Sequence, residues 1–349
     1  MLTDHLPTQI PLDRYREILG ALHTEREWRS DSFWLRIAAH TAVMCPDPPE
    51  LLAHRIREIA AVLRDHTDWY RRLASSVRFV VAALLIQHHI PVRDFLGECA
   101  RTGELFHEVG LRHGGFSETM AVLILRLAQG QRAVTLLEVE RIKAIYDRMK
   151  GFHWWLTGPH DLPACAALAL CPGSAEVVSG LSEAAFQDLY GGDLAKGRHL
   201  QTAANLLPVT GLHRGEAIGR YRAIKTALEV RDGVLAQECY DALVVLTLLE
   251  RPVELIVTRL RAIEAELDLL QPALSGSANF LISADLAFLD LVRFGRDNEA
   301  LTEPHAAAAM LRSLHAFHII SVVLVSEVRA EVIYPAAALG GAGWPLPYG

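Results

Sequence analysis

The sequence predicts an all-α protein built as an αα-repeat array, a solenoid or an α/α toroid of about seven helix pairs. Three observations carry this. Apolar residues recur at helical spacing along most of the chain, and no run alternates polar with apolar between hairpin turns. Segments that are apolar on every side alternate with segments that are apolar on one side only. The all-apolar segments share alanine centres, Ala39, Ala83, Ala121, Ala167, Ala204, Ala242 and Ala284, at intervals of 44, 38, 46, 37, 38 and 42 residues. A period of about forty residues with two helices per unit marks a helical-repeat protein. Composition agrees: 51% of residues are hydrophobic but only 7% aromatic, and an Ala/Leu-rich core favours close helix packing over a β-sandwich.

Taken in order, residues 1–12 read as a flexible leader and residues 13–332 as a single repeat domain. Leu12–Glu27 sets Leu12, Tyr15, Ile18, Leu19 and Leu22 on one helix face. Ser30-Asp-Ser32 supplies a cap for Phe33–Met44, which Cys45-Pro-Asp-Pro-Pro49 stops. Amphipathic Glu50–Asp65 precedes apolar Trp69–His89, ended by Pro91. Amphipathic Val92–Leu111 and apolar Phe116–Ala128 follow, then amphipathic Ala133–Met149, which runs out at Lys150-Gly151. Leu162–Leu170 is apolar and stops at Cys171-Pro-Gly, and Ser174–Tyr190 is amphipathic and closes at Gly191-Gly192. The alternation continues through Leu194–Leu207, Gly215–Val230, Val234–Leu249, Pro252–Leu270 and Ala278–Phe294. Pro304–Ala316 and Phe317–Val332 form a last pair or one long helix, and residues 333–349 are a Gly/Pro-rich tail.

Composition also bounds the function. The net charge is 34 − 41 = −7, which gives no electrostatic reason to expect nucleic acid or anionic lipid as a partner. The five cysteines are odd in number and contain no CxxC pair, as expected of reduced thiols in a cytoplasmic protein. The N-terminus lacks the apolar core of an export signal. The uncharged runs Phe79–Val92 and Ser313–Ser326 are too short to span a bilayer, which takes about 20 apolar residues.

Two stretches stand out. The first is Gly151–Leu170, where Phe152-His-Trp-Trp-Leu-Thr157 leads through a Gly-Pro turn to Asp161-Leu-Pro163. The second is the Leu-Gln-x-Ala-x-x-Leu pattern within His199–Leu207. With these motifs the chain resembles an uncharacterised family of bacterial proteins known only as a domain of unknown function. The resemblance runs from the second helix to Phe294. It implies a soluble bacterial α-helical protein and brings no activity, cofactor or catalytic residue.

The candidate sites follow from residue chemistry. Asp161 is placed to cap the helix that Pro163 enters, either as a plain helix start or as part of an anion-attracting turn. His153, Trp154 and Trp155 either line a ligand pocket or fill the inter-helix core with their indole N–H groups satisfied, and the core is the simpler expectation. Gln201 and Asn205 are four residues apart and share a face of a mostly apolar helix, where buried amides require partners, whether a ligand or an inter-repeat ladder. Asp241, Asp285 and Asp290 sit on apolar helices. They either converge from neighbouring repeats, raising one another's pKa or binding a divalent cation, or each lies near a helix end or pairs with a neighbouring Arg, the simpler expectation. His315 and His318 are three apart, but zinc needs three or four ligands and HExxH is absent, so no metal site is expected. Nucleotide loops and a GxSxG nucleophile turn are absent as well.

Together these features point to a binding or interaction module that uses the concave face of its repeat array for a protein partner or an apolar small molecule. The alternative is an enzyme acting on an apolar small molecule at the axis of a helical ring. It would take acid–base groups from His199, Asp241 and Asp285 and walls from Trp154 and Trp155.

Overall fold

The computed structural model describes residues 10–23, 32–66, 76–111, 115–129, 132–192, 194–270, 274 and 276–294. Among them are fourteen α-helices and no strand. In order they are α1 (Pro11–His23), α2 (Ser32–Thr41), α3 (Pro49–Asp65), α4 (Arg78–Gln87), α5 (Val92–Glu108), α6 (Phe116–Gln129) and α7 (Leu136–Phe152). After these come α8 (Leu162–Ala169), α9 (Ala175–Tyr190), α10 (Arg198–Leu206), α11 (Arg214–Asp232), α12 (Ala242–Leu246), α13 (Val253–Asp268) and α14 (Gly276–Phe294). The predicted final pair, 304–332, the tail, and His315 and His318 lie outside the described residues.

The alternation of apolar and amphipathic segments becomes an alternation of burial. All seven alanine centres are buried, one in each even-numbered helix. Every residue of α4 from Phe79 to Ile86 is buried, and so is every residue of α12. Odd-numbered helices bury a single stripe, such as Ile256, Val257, Leu260, Ile263 and Leu267 of α13. A helix apolar all round needs cover on every side, while a striped one gives its other side to water. The even helices accordingly pack on one another, α2 on α4, α6 on α8, α8 on α10, α10 on α12 and α12 on α14. The odd helices neighbour one another in sequence from α1 to α13. The first and last described elements also meet, since α14 packs against α2 and α1, and Arg16 of α1 pairs with Glu266 of α13 at 2.5 Å.

The odd helices begin on stops that the sequence supplies. Pro11 and Pro49 open α1 and α3, where a missing N–H is harmless. A capping box between Thr135 and Glu138 starts α7, and Ser174 accepts the Val177 N–H at the start of α9. The carboxyl ends of three even helices are closed by an arginine from the preceding odd helix. Arg14 donates to the carbonyls of Cys45 and Asp47, Arg141 to those of Ala169 and Cys171, and Arg220 to those of Thr247 and Leu249. Each guanidinium satisfies carbonyls that have no partner in their own helix, and it lies at the negative end of the helix dipole.

Some boundaries differ from expectation. Helix α1 starts at Pro11, inside the predicted leader. The predicted helix over Val234–Leu249 is reduced to a 3-10 turn at Gln237–Cys239 and the five residues of α12. Its carbonyl at Tyr240 accepts the buried Tyr221 hydroxyl at 2.9 Å, a tertiary bond that competes with helix continuation.

The arginine caps differ in worth from surface pairs. Arg141→Ala leaves two part-buried carbonyls without their donor, and urea unfolding is expected to show a loss of about 2–3 kcal/mol. Arg148→Ala breaks only an exposed pair with Glu176 at 3.5 Å and is expected to cost less than about 1 kcal/mol.

Candidate functional site

The residues that drew attention in the sequence lie largely at one seam. Helix α7 ends at Phe152, and the chain turns on the His153 carbonyl, which accepts the N–H groups of Leu156 and Thr157 at 3.0 and 2.9 Å. A 3-10 turn at Pro159–Asp161 leads into α8. Gly158 leaves room for the His160 ring, since a Cβ at this position would stand 2.8 Å from it and the ring would have to shift. Asp161 does not cap α8 with its side chain. Its backbone is already helical, and its buried carboxylate turns back to accept the Gly158 N–H at 2.9 Å, with His160 Nε2 at 3.1 Å. Burial pushes the His160 pKa down to about 4, helped by the charge of Arg198, so this imidazole is neutral near pH 7 and stiffens the turn.

The seam between α7, α9 and α10 holds a small cleft of about 220 Å³, its mouth included. Its lining contains Met149, Phe152, His153, Ser182, Glu183, Phe186, Gln201 and Asn205. Three sequence-derived candidates, His153, Gln201 and Asn205, therefore share one wall system. His153 Nε2 stands 2.7 Å from Glu183 Oε2 as a close charge contact rather than an aligned hydrogen bond. The His153 ring rests 4.2 Å from that of Phe186. Gln201 donates from Nε2 to Thr157 Oγ at 3.1 Å, and Asn205 Oδ1 accepts from Ser182 Oγ. The opposite ends of these amides, Gln201 Oε1 and Asn205 Nδ2, are buried with no hydrogen-bond partner among the described residues, as is His153 Nδ1.

Trp154 and Trp155 overturn the core expectation, being 71% and 52% exposed. Their rings meet edge to face at 5.9 Å, and Trp155 stands edge to face with His153 at 5.9 Å. Lys196 Nζ lies 4.5 Å from the Trp155 ring centre and 5.9 Å from that of Tyr190, and Tyr190 stacks on Phe186. Phe152 and Tyr190 are exposed as well. An aromatic shelf thus borders a cleft with a polar floor. The chain turns outward after α7, because the two residues that anchor it inward are His153 and Thr157, both buried.

The acidic candidates occupy separate seams. His199 Nδ1 is 3.3 Å from Asp241 Oδ1, joining α10 to the start of α12. Burial works against the imidazolium, but the Asp241 carboxylate, by hydrogen bond and charge, raises the His199 pKa above its ordinary 6.5, with Glu238 adding. Asp285 lies on α14 against α2, its Oδ2 3.1 Å from His40 Nε2, and both side chains are buried. Asp290 pairs with Arg259 of α13, the arginine-neighbour arrangement that the sequence allowed.

All five cysteines are free, and burial pushes the thiols of Cys45 and Cys239 up to about 12, far from a nucleophile's range. Among the described residues no three His, Cys, Asp or Glu side chains gather as a metal set, and no single helix is long and apolar enough to cross a membrane. Sequence reasoning missed Ser182 and Glu183 because α9 was read for its apolar stripe alone. The available signal was Ser179, Ser182 and Glu183 at spacings of three and four on one face of that helix.

A family model described as "Protein of unknown function (DUF4003)" matches residues 19–291. No curated protein and no solved structure matches the chain.

The His199–Asp241 contact has a pH signature. With its folded pKa raised, His199 contributes stability that is complete below 6.5 and is lost as pH climbs through the raised value. Melting temperatures measured across that window are expected to fall for the native chain, and this part of the fall is expected to vanish in Asp241→Asn.

Proposed function

The chain belongs to the DUF4003 family, whose description carries no activity, and we propose that it is a small-molecule binding module built on seven helix pairs closed into an α/α toroid. The contacts of α14 with α2 and α1, and the Arg16–Glu266 pair, support closure. A ring has no long open groove for an extended partner, so the ligand site belongs to a local cleft rather than to a concave face. The free, mostly buried thiols suit a cytoplasmic setting.

One observation carries the binding assignment. The cleft between α7, α9 and α10 gathers His153, Glu183, Gln201 and Asn205, and buried atoms of Gln201, Asn205 and His153 have unused hydrogen-bonding capacity. Leaving such a group unpaired costs about 1–3 kcal/mol. A few convergent polar groups beside aromatic walls is the usual make-up of a small-molecule site. In this reading His153, Gln201 and Asn205 contact the ligand, Trp154 and Trp155 border it, and Asp161 shapes the turn that presents them.

A second reading, acid–base catalysis, draws on the His199–Asp241 contact, in which a carboxylate orients an imidazole. Asp285, held by His40 between α14 and α2, would then serve the fold and not the chemistry.

Ligand-observed NMR with a panel of small polar fragments separates a binding cleft from a structural amide seam. Fragments are expected to bind the native chain and to lose at least about tenfold in affinity in a folded Gln201→Ala/Asn205→Ala variant. Equal binding by both proteins would rule out the cleft.

A further inference from the structure

We infer that the ligand of this cleft is a neutral polyhydroxylated ring, a sugar, with one hydroxyl in the polar floor and a C–H face against the aromatic shelf. The inference rests on the binding role proposed for the cleft and adds the chemical class.

The floor selects for hydroxyl. Gln201 Oε1 can only accept and Asn205 Nδ2 can only donate, and both are buried without a partner among the described residues. A hydroxyl both donates and accepts, whereas an ammonium offers only donors and a carboxylate only acceptors. Rotating the Asn205 amide would let Ser182 accept instead of donate and would leave Oδ1, a second acceptor, which a hydroxyl still meets by donating; in that orientation the charges around the cleft, not the floor, disfavour a cation. The depth of the cleft has room for about one water-sized group, which fits a single hydroxyl and excludes a larger head.

Charge at the site argues against ionic ligands. The Glu183 carboxylate repels an anion, and it already faces His153 at 2.7 Å, so a cation would have to compete with that imidazole. At the rim the Lys196 ammonium already lies over Trp155 and Tyr190, which disfavours a second positive charge there. What is left is a neutral ligand with an apolar face. Phe152, Trp154, Trp155 and Tyr190 are all exposed, with Phe152 lining the cleft and Trp155 edge to face with cleft-lining His153, and exposed aromatic rings suit the C–H face of a sugar ring more than a flexible chain.

The test is a titration of the intact protein with glucose, galactose, ribose, N-acetylglucosamine and trehalose. Sorbitol, methylammonium and acetate serve as comparison probes. Binding is followed by tryptophan fluorescence and saturation-transfer NMR. At least one sugar is expected to bind, with its ring C–H protons receiving the strongest transfer. Asn205→Ala is expected to weaken it about fivefold to tenfold. Trp154→Ala, at a surface side chain whose loss leaves the core untouched, is expected to weaken it severalfold. Binding of acetate or methylammonium at the cleft without any sugar would overturn the ligand class and leave the cleft standing as a site. Sorbitol binding as tightly as the best sugar would overturn the role of the ring face. Absence of binding by every probe, together with no fragment bound in the NMR panel, would overturn both the class and the site.

Discussion

Helices with no polar side cannot end a stack. Each even-numbered helix here is buried nearly all round, so each needs neighbours on its flanks as well as an odd-numbered helix over its back. Among the described residues α2 packs on α4, and α6, α8, α10 and α12 pack on one another in chain order. At the ends of the described residues, α14 packs on α12 and also touches α2. The His40–Asp285 contact lies within that junction, both side chains buried, where paired groups are tolerated and a lone charge is not. Fully buried Arg36 on α2 adds to the polar content of the same inner layer. Burial of these helices is therefore the constraint on how they pack, and the contact of α14 with α2 brings the two ends of the described residues together.

Histidine–carboxylate contacts recur where helix pairs join: His40 with Asp285, His153 with Glu183, His199 with Asp241. The His40–Asp285 contact is enclosed and reads as a seam fastening, while the part-buried His199–Asp241 contact joins α10 to α12. The His153–Glu183 contact differs because its surroundings open to solvent and include amide atoms that the fold does not use. The same residue types can thus fasten a seam or line a candidate site, and the free hydrogen-bonding capacity around them sets the candidate apart.

Much of the fold was legible because burial in an all-helical chain is a local, periodic property. The alanine spacing located all seven even helices, and the proline and Thr/Ser stops located the odd ones. The pieces that were not legible depend on distant partners. The break before α12 follows from Tyr221 reaching the Tyr240 carbonyl. The neighbour of Asp285 lies near the other end of the chain. Trp154 and Trp155 were expected inside because indoles usually are. Their exposure follows from the inward anchoring of His153 and Thr157, which no residue pattern announces. At the site, Gln201 and Asn205 were visible as amides on an apolar helix, while Glu183 was hidden on a helix whose polar residues look like ordinary surface.

The closure of first pair on last pair is tested most directly by cross-linking α1 to α13. In a Cys171→Ser background, Arg16→Cys and Glu266→Cys place reactive thiols at the exposed ion pair that bridges the two helices, while the other native cysteines stay buried. A short bis-maleimide is expected to join the two new thiols within one chain under native conditions and to fail in denaturant. Two separate single-ended adducts on the folded protein, with no intrachain link, would mean that α1 and α13 stand apart and that the array is open.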